Sequence, residues 1–224
     1  MKKYLIIALK VLIIAVILFY TWKMIELTVP YLSFQKNIDF LKSKLNVYHI
    51  DYWRWGFYIH IFTSPIALIA GVTQFSATIM RKAPKFHRWM GKAYVFVVLF
   101  ISAPGAMAMA FHANYGLPAV VSFVFLTTLW FSFTLLAYYF VRKKDYIAHS
   151  EFMLRSYALT FSAVTFRLIT YYFTYMKFQV KPAEIYFIAA WMSWVPNLII
   201  AEIMIRMGVI QNILKRRNKN NNAS

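Results

Sequence analysis

The chain has 224 residues, of which 61% are hydrophobic and 20% aromatic but only 14% charged, with 25 Lys and Arg against 7 Asp and Glu. A soluble domain of this length needs about a quarter of its residues charged to cover its surface, so soluble enzyme folds are excluded and a membrane composition remains. The net charge of +18 sits in short connections between apolar stretches, which makes it a topology signal and sets nucleic acid aside as a partner.

The first apolar stretch, Leu5 to Trp22, is interrupted only by Lys10, whose stem can carry its ammonium back to the interface. Lys2 and Lys3 ahead of an apolar run also describe a secretory signal, but no small-x-small site follows Tyr20, so an uncleaved anchor helix is expected. The loop from Lys23 to Arg54 contains Phe34, Ile38, Leu41 and Leu45 at helical spacing, predicting a short amphipathic helix on the membrane or over the bundle. Further spanning helices are predicted over Trp55–Ile79, Ala93–Phe111, Leu117–Val141, Phe152–Met176 and Ile185–Met207, with kinks at Pro65 and at Pro104-Gly105. The expected fold is an all-α integral membrane bundle of six transmembrane helices. Residues 1–54 form an anchor plus outer loop, 55–207 a five-helix membrane core, and 208–224 a basic tail too polar to pack. Zero cysteines exclude disulfides, thiolate metal sites and a cysteine nucleophile.

Lys and Arg in alternate connections give the orientation. One side collects Lys2, Lys3, Lys10, the Arg81–Lys92 connection, Arg142–Lys144, Arg206 and the tail; the other collects Lys23, Lys36, Lys42, Lys44, Arg54, Lys177 and Lys181, seven against sixteen. Both termini are therefore expected in the cytoplasm of a bacterial cell, with the bundle in its inner membrane.

An ionisable group inside a spanning helix costs about 2.5–3.5 kcal/mol or more, so each calls for a reason. On the fifth helix, His149, Ser156, Thr160 and Arg167 fall within about 20 degrees of one line, a polar stripe facing the bundle interior or a cavity. Arg155 points elsewhere, near the inner boundary, where snorkelling suffices. Glu202 stands four residues before Arg206, which predicts a local ion pair, with a cross-helix pair to Arg155 as the alternative. Among the histidines, His60 lies inside the second helix and His87 and His149 lie at the cytoplasmic boundary. His112 and His49 read as interfacial residues on the outer side. Imidazole can ligate haem iron, bind other metals or pass protons. Gly91, one turn after His87, admits a close neighbour.

The stretch from about Phe57 to Tyr172 resembles a bacterial family of multi-pass membrane proteins of unknown function. The resemblance rests on His60 with Gly71 and Gln74, on His87-Arg88-x-x-Gly91-x-x-Tyr94, on Trp130, and on His149-x-x-x-Met153-x-Arg155-Ser156-Tyr157-Ala158-Leu159-Thr160 continuing to Arg167. It implies fold and membership but no chemistry. More distantly, histidines near both membrane faces are similar to the di-haem cytochrome b group. Those proteins place two histidines of one helix thirteen or fourteen residues apart. Here His87 and His112 are about 37 Å apart by helical rise, too far for two haems in one core.

Three functions remain open. The first is a haem-b electron carrier, with His87 and His149 as axial ligands, Arg88 or Arg155 on the propionates, His60 at a second, outer position, and quinone or a soluble redox partner. In the second, protons or a small solute are transported along His60, Arg167, Thr160, Ser156 and His149. The third is a non-catalytic membrane module in which these groups lock helices together. No nucleotide loop, His-Glu-x-x-His or Gly-x-Ser-x-Gly motif marks an enzyme, so none is assigned.

Overall fold

The computed structural model describes residues 2–176 and 179–211; Lys177, the tail from residue 212 onward and the side chains of Lys2, Lys3 and Lys10 lie outside the described residues. All regular structure among them is helical. The helices are α1 (Lys2–Thr28), α2 (Asp51–Gln74), α3 (Ala77–Lys82), α4 (Pro84–Phe96), α5 (Ala103–Ala110), α6 (Leu117–Arg142), α7 (Tyr146–Thr160), α8 (Ser162–Tyr175), α9 (Pro182–Met192) and α10 (Val195–Arg206). Five segments are long and apolar enough to cross a membrane: Ile14–Ser33, Asp51–Gln74, Pro84–Ala110, Leu117–Arg142 and Pro182–Arg206. Helix α1 contains the whole of the predicted Leu5–Trp22 and continues to Thr28; of its described side chains Ile17, Thr21 and Met24 are buried, Met24 beside Leu68 and Val164.

Departures from regular helix give the bundle its shape. Between α4 and α5 the backbone widens into a π-helical stretch, Val97–Ser102, just before Pro104. Proline has no N–H to continue the ladder, and one wide turn absorbs the missing bond without ending the helix. Beyond it Gly105 meets Gly56 of α2, where a Cβ on either would lie under 3 Å from the facing helix, so the two backbones touch. The predicted fifth span is not one straight helix but α7 and α8, broken at Phe161. Phe161 carries no proline or glycine signal. The cause is tertiary: Asn197 of α10 donates to the Ala158 carbonyl (3.3 Å) and to Thr165 Oγ1 (3.0 Å), one on each side of the break.

The outer loop does not form the predicted amphipathic helix. It makes two 3-10 turns, Val29–Ser33 and Asp39–Lys44, that fold over one end of the bundle. Leu41 is fully buried against Tyr31, Trp53, Phe57 and Tyr58, whereas Phe34 and Leu45, expected on the same stripe, are exposed. Three residues per turn place every third position on one face, which separates residues that a 3.6-residue repeat would align. Lys44 is pulled under the cap, where its Nζ donates to the His112 carbonyl. Tyr52 and His112 join side chain to side chain beside it (2.6 Å), the interfacial anchoring expected for His112. We call this the capped end. The opposite, basic end carries α3, the start of α4 and the Arg142–Asp145 turn.

The main core gathers Tyr94, Trp130, Tyr157 and Trp194 from α4, α6, α7 and the α9–α10 junction. Tyr157 lies flat against Gly71 of α2 and its hydroxyl donates to the Leu68 carbonyl (3.1 Å). A Cβ on Gly71 would sit 2.2 Å from that ring. Gly71→Ala is expected to lower stability by about 1–3 kcal/mol, read as an earlier thermal midpoint in detergent, and Gly71→Ala with Tyr157→Leu is expected to recover part of it.

Candidate functional site

Tyr94, buried on α4, points its hydroxyl at Ser156 Oγ (2.7 Å) and Thr160 Oγ1 (2.7 Å) on α7. From α6, Thr134 Oγ1 reaches Ser156 Oγ (2.7 Å) and Trp130 Nε1 donates to Thr160 Oγ1 (2.8 Å). Proton counting settles most of the directions. Thr134 donates to the Trp130 carbonyl (2.7 Å) and Thr160 to the Ser156 carbonyl (3.1 Å), so each spends its hydrogen within its own helix. Thr160 then accepts from the Tyr94 hydroxyl, and the Ser156 hydrogen goes to Tyr94 or Thr134. Ser156 and Thr160 thus belong to a closed knot joining three helices. Spacing alone marked them as a stripe; Tyr94 and Thr134, which complete the knot, show only once the helix faces meet.

The knot lies between two cavities. The one at the capped end, about 430 Å³, is walled mainly by apolar side chains and lined also by His60, Arg167, Lys44, Tyr31 and Thr160. His60 Nδ1 lies 3.0 Å from the Ser102 carbonyl. A carbonyl can only accept, so Nδ1 carries the proton and Nε2 is left without a partner among the described residues. Arg167 Nη1 donates to the Ala163 carbonyl one turn back (2.9 Å) and makes no ion pair among the described residues.

At the basic end a cleft of about 860 Å³ is lined by His87 and Arg88 of α4, Lys144, and His149 and Met153 of α7, with Gln74 and Ile210. The two histidines assigned to one site by the sequence therefore do face one space. His149 Nδ1 lies 2.8 Å from the Ala137 carbonyl and is its donor, which leaves Nε2 as the unprotonated nitrogen of a neutral ring. Gln74 donates to the His87 carbonyl (3.3 Å), and its side chain occupies the room left at Gly91. Among the described residues no three His, Asp or Glu side chains converge on one point. Arg155 is absent from the cleft. Its guanidinium grips Glu202 of α10 with two bonds, Nε to Oε1 (2.5 Å) and Nη2 to Oε2 (3.1 Å), so the cross-helix pair forms in place of the local Glu202–Arg206 pair.

A family profile described as "Predicted membrane protein (DUF2306)" matches residues 57–205, about two thirds of the chain, from within α2 to the end of α10. No curated protein and no solved structure matches the chain. The matched segment holds the knot, both cavity histidines of α4 and α7, and His60, and leaves out α1 and the cap.

Tyr94→Phe removes two hydroxyl contacts, leaving Thr160 with its Trp130 donor and Ser156 with Thr134; a loss of about 1 kcal/mol is expected, measured as a lower thermal midpoint. Lys44 gives a pH dependence. Burial disfavours its charged form and lowers its pKa from 10.5 to about 8. Between about pH 8 and 10.5 the unfolded chain then binds more protons than the folded one, so stability rises with pH through that window, the cost being fully present below it. The thermal midpoint of the natural protein should gain on that of Lys44→Met between pH 8 and 10, and run parallel to it between pH 6 and 7.

Proposed function

The chain belongs to the DUF2306 family of predicted membrane proteins, and from that premise we propose that it carries haem b at the basic end of a six-crossing bundle and transfers electrons there. The observation that carries the reading is the pair His87 and His149, brought from different helices into one cleft. The fit is chemical. The His149 Nδ1 proton is committed to the Ala137 carbonyl, the cleft volume lies within the range of about 300–1,000 Å³ usual for cofactor sites, and Met153, Phe75 and Ile147 give it apolar walls. Arg88 and Lys144 stand at the same cleft to pair with carboxylates. A haem bound there supplies one-electron exchange. His87 and His149 would hold the iron, the Ala137 carbonyl would fix the His149 tautomer, and Arg88 and Lys144 would offset the propionate charge. Arg155, engaged by Glu202, takes no part.

The proposal counts α7 and α8 together as one crossing beside the five long apolar spans, which makes six. Ala137 with His149, Trp130 with Thr160 and Phe123 with Phe166 pair successive levels of α6 with this broken helix along the length of the bundle. The basic end carries the Arg81–Lys92 and Arg142–Lys144 connections, so the proposal places it and both termini on the cytoplasmic side of a bacterial inner membrane. A quinone or soluble reductase is the matching partner there. A second reading, a structural membrane module, draws support from the knot and the Arg155–Glu202 pair, which need no cofactor. Transport along the stripe draws less, because the knot packs closed between the cavities.

The test is a reduced-minus-oxidised visible spectrum with a pyridine haemochrome count on protein expressed with ample haem. Sharp b-type bands near one haem per chain are expected, abolished by His87→Ala and by His149→Ala in protein that still inserts. Haem retained in both variants, or a featureless spectrum from folded protein, overturns the assignment.

A further inference from the structure

The capped cavity is separate from the haem proposal and has an imbalance of its own. Two cations line it, Arg167 from α8 and Lys44 from the cap, together with His60, while the acid among its walls is Asp39, exposed and in no ion pair among the described residues. Arg167 offers five N–H donors and spends one on Ala163. A guanidinium in the bundle interior without a counter-charge is expensive, and its planar fork matches two carboxylate oxygens. The remaining walls, Leu68, Met109, Phe123, Leu126 and Phe166 among them, suit an apolar body. Its volume of about 430 Å³ lies within the usual range for small-molecule sites, with few polar groups on apolar walls.

We propose that this cavity binds a small lipophilic carboxylate, its head on Arg167 with Lys44 and His60 beside it and its body toward Phe123 and Phe166. A neutral ligand would fill the same space and leave the guanidinium uncompensated, which is why an anion is favoured over a quinone. The cap forms one wall of the site, through Asp39, Phe40 and the buried Lys44.

The test uses full-length protein in phosphatidylcholine nanodiscs and tritiated 4-phenylbutyrate, with empty discs as the blank and 4-phenylbutyramide as the neutral competitor. Saturable binding of one acid per chain is expected, with the amide and the Arg167→Gln variant each about tenfold weaker, as for a charge-assisted hydrogen bond lost. Ala106→Leu, which fills the cavity and leaves the charges in place, is expected to exclude acid and amide alike, and carries the test if Arg167→Gln does not fold. Discs doped with oleate separate the sources: competition by this bilayer-borne carboxylate assigns the natural acid to the membrane and its absence assigns it to solution, and each result supports a carboxylate site. No saturable binding, equal affinity for acid and amide, or unchanged binding in Ala106→Leu overturns the proposal.

Discussion

A hydroxyl inside a bilayer has no water to turn to, and the Tyr94 hydroxyl meets that constraint by joining α4 to α7 and, through Trp130 and Thr134, to α6. Each bond is worth little by itself, about 0.6 kcal/mol on average for hydrogen bonds between membrane helices. What gives the knot weight is mutual satisfaction. Thr134 and Thr160 have already donated to their own helices, so they need donors from outside, and Tyr94 and Trp130 supply them to Thr160. Thr160 has two outside donors and Ser156 two outside neighbours, so the knot keeps part of its bonding when one member is removed. The knot also divides the interior, with Thr160 facing the capped cavity and Met153, one turn below Ser156, facing the basic cleft.

The cavities on either side exist because the helices are irregular. Straight helices packed on small residues leave little space between them, as at Gly56 and Gly105. The π stretch before Pro104 offsets α5 from the line of α4, and it is the carbonyl of Ser102 within that stretch that accepts from His60. The break at Phe161 is held open by Asn197 and sets the direction in which α8 carries Arg167 toward the cap. Both irregularities use a polar partner to satisfy backbone groups that a regular helix would satisfy itself. In each case the side chain made available, His60 or Arg167, lines the capped cavity.

These sources differ in how far they can be read from sequence. Long apolar runs are readily seen, so helices at five of the six predicted spans were legible, whereas the start of the third came at Pro84 and not Ala93 because polar residues lead into its apolar run. Phe161 was not legible as a break, since its cause is Asn197, more than thirty positions on. The cap was misread because a stripe of Phe34, Ile38, Leu41 and Leu45 fits a 3.6-residue period, whereas the chain there turns every three. His87 and His149 could be assigned to one layer from topology alone. Glu202 illustrates the opposite case, where the nearest partner in sequence, Arg206, lost to one across the helix interface.

Arg155 and Arg167 show why depth and partner must be considered together. They sit on the same broken helix and carry the same charge, yet Arg155 holds two oxygens of Glu202 and lies over the Phe152 ring at 4.9 Å, so its charge, its fork and its flat face are all used. That is the arrangement of a structural tie between α7 and α10. Arg167 has only a carbonyl of its own helix, which absorbs one hydrogen and no charge. A bundle that needed a tie at that level had a neighbouring solution in Asn197, which joins α10 to Thr165 without any ion. A cation kept instead beside a cavity is costly for folding alone and becomes favourable once an acceptor is present, which is the difference between a residue that holds the bundle together and one that holds something for it.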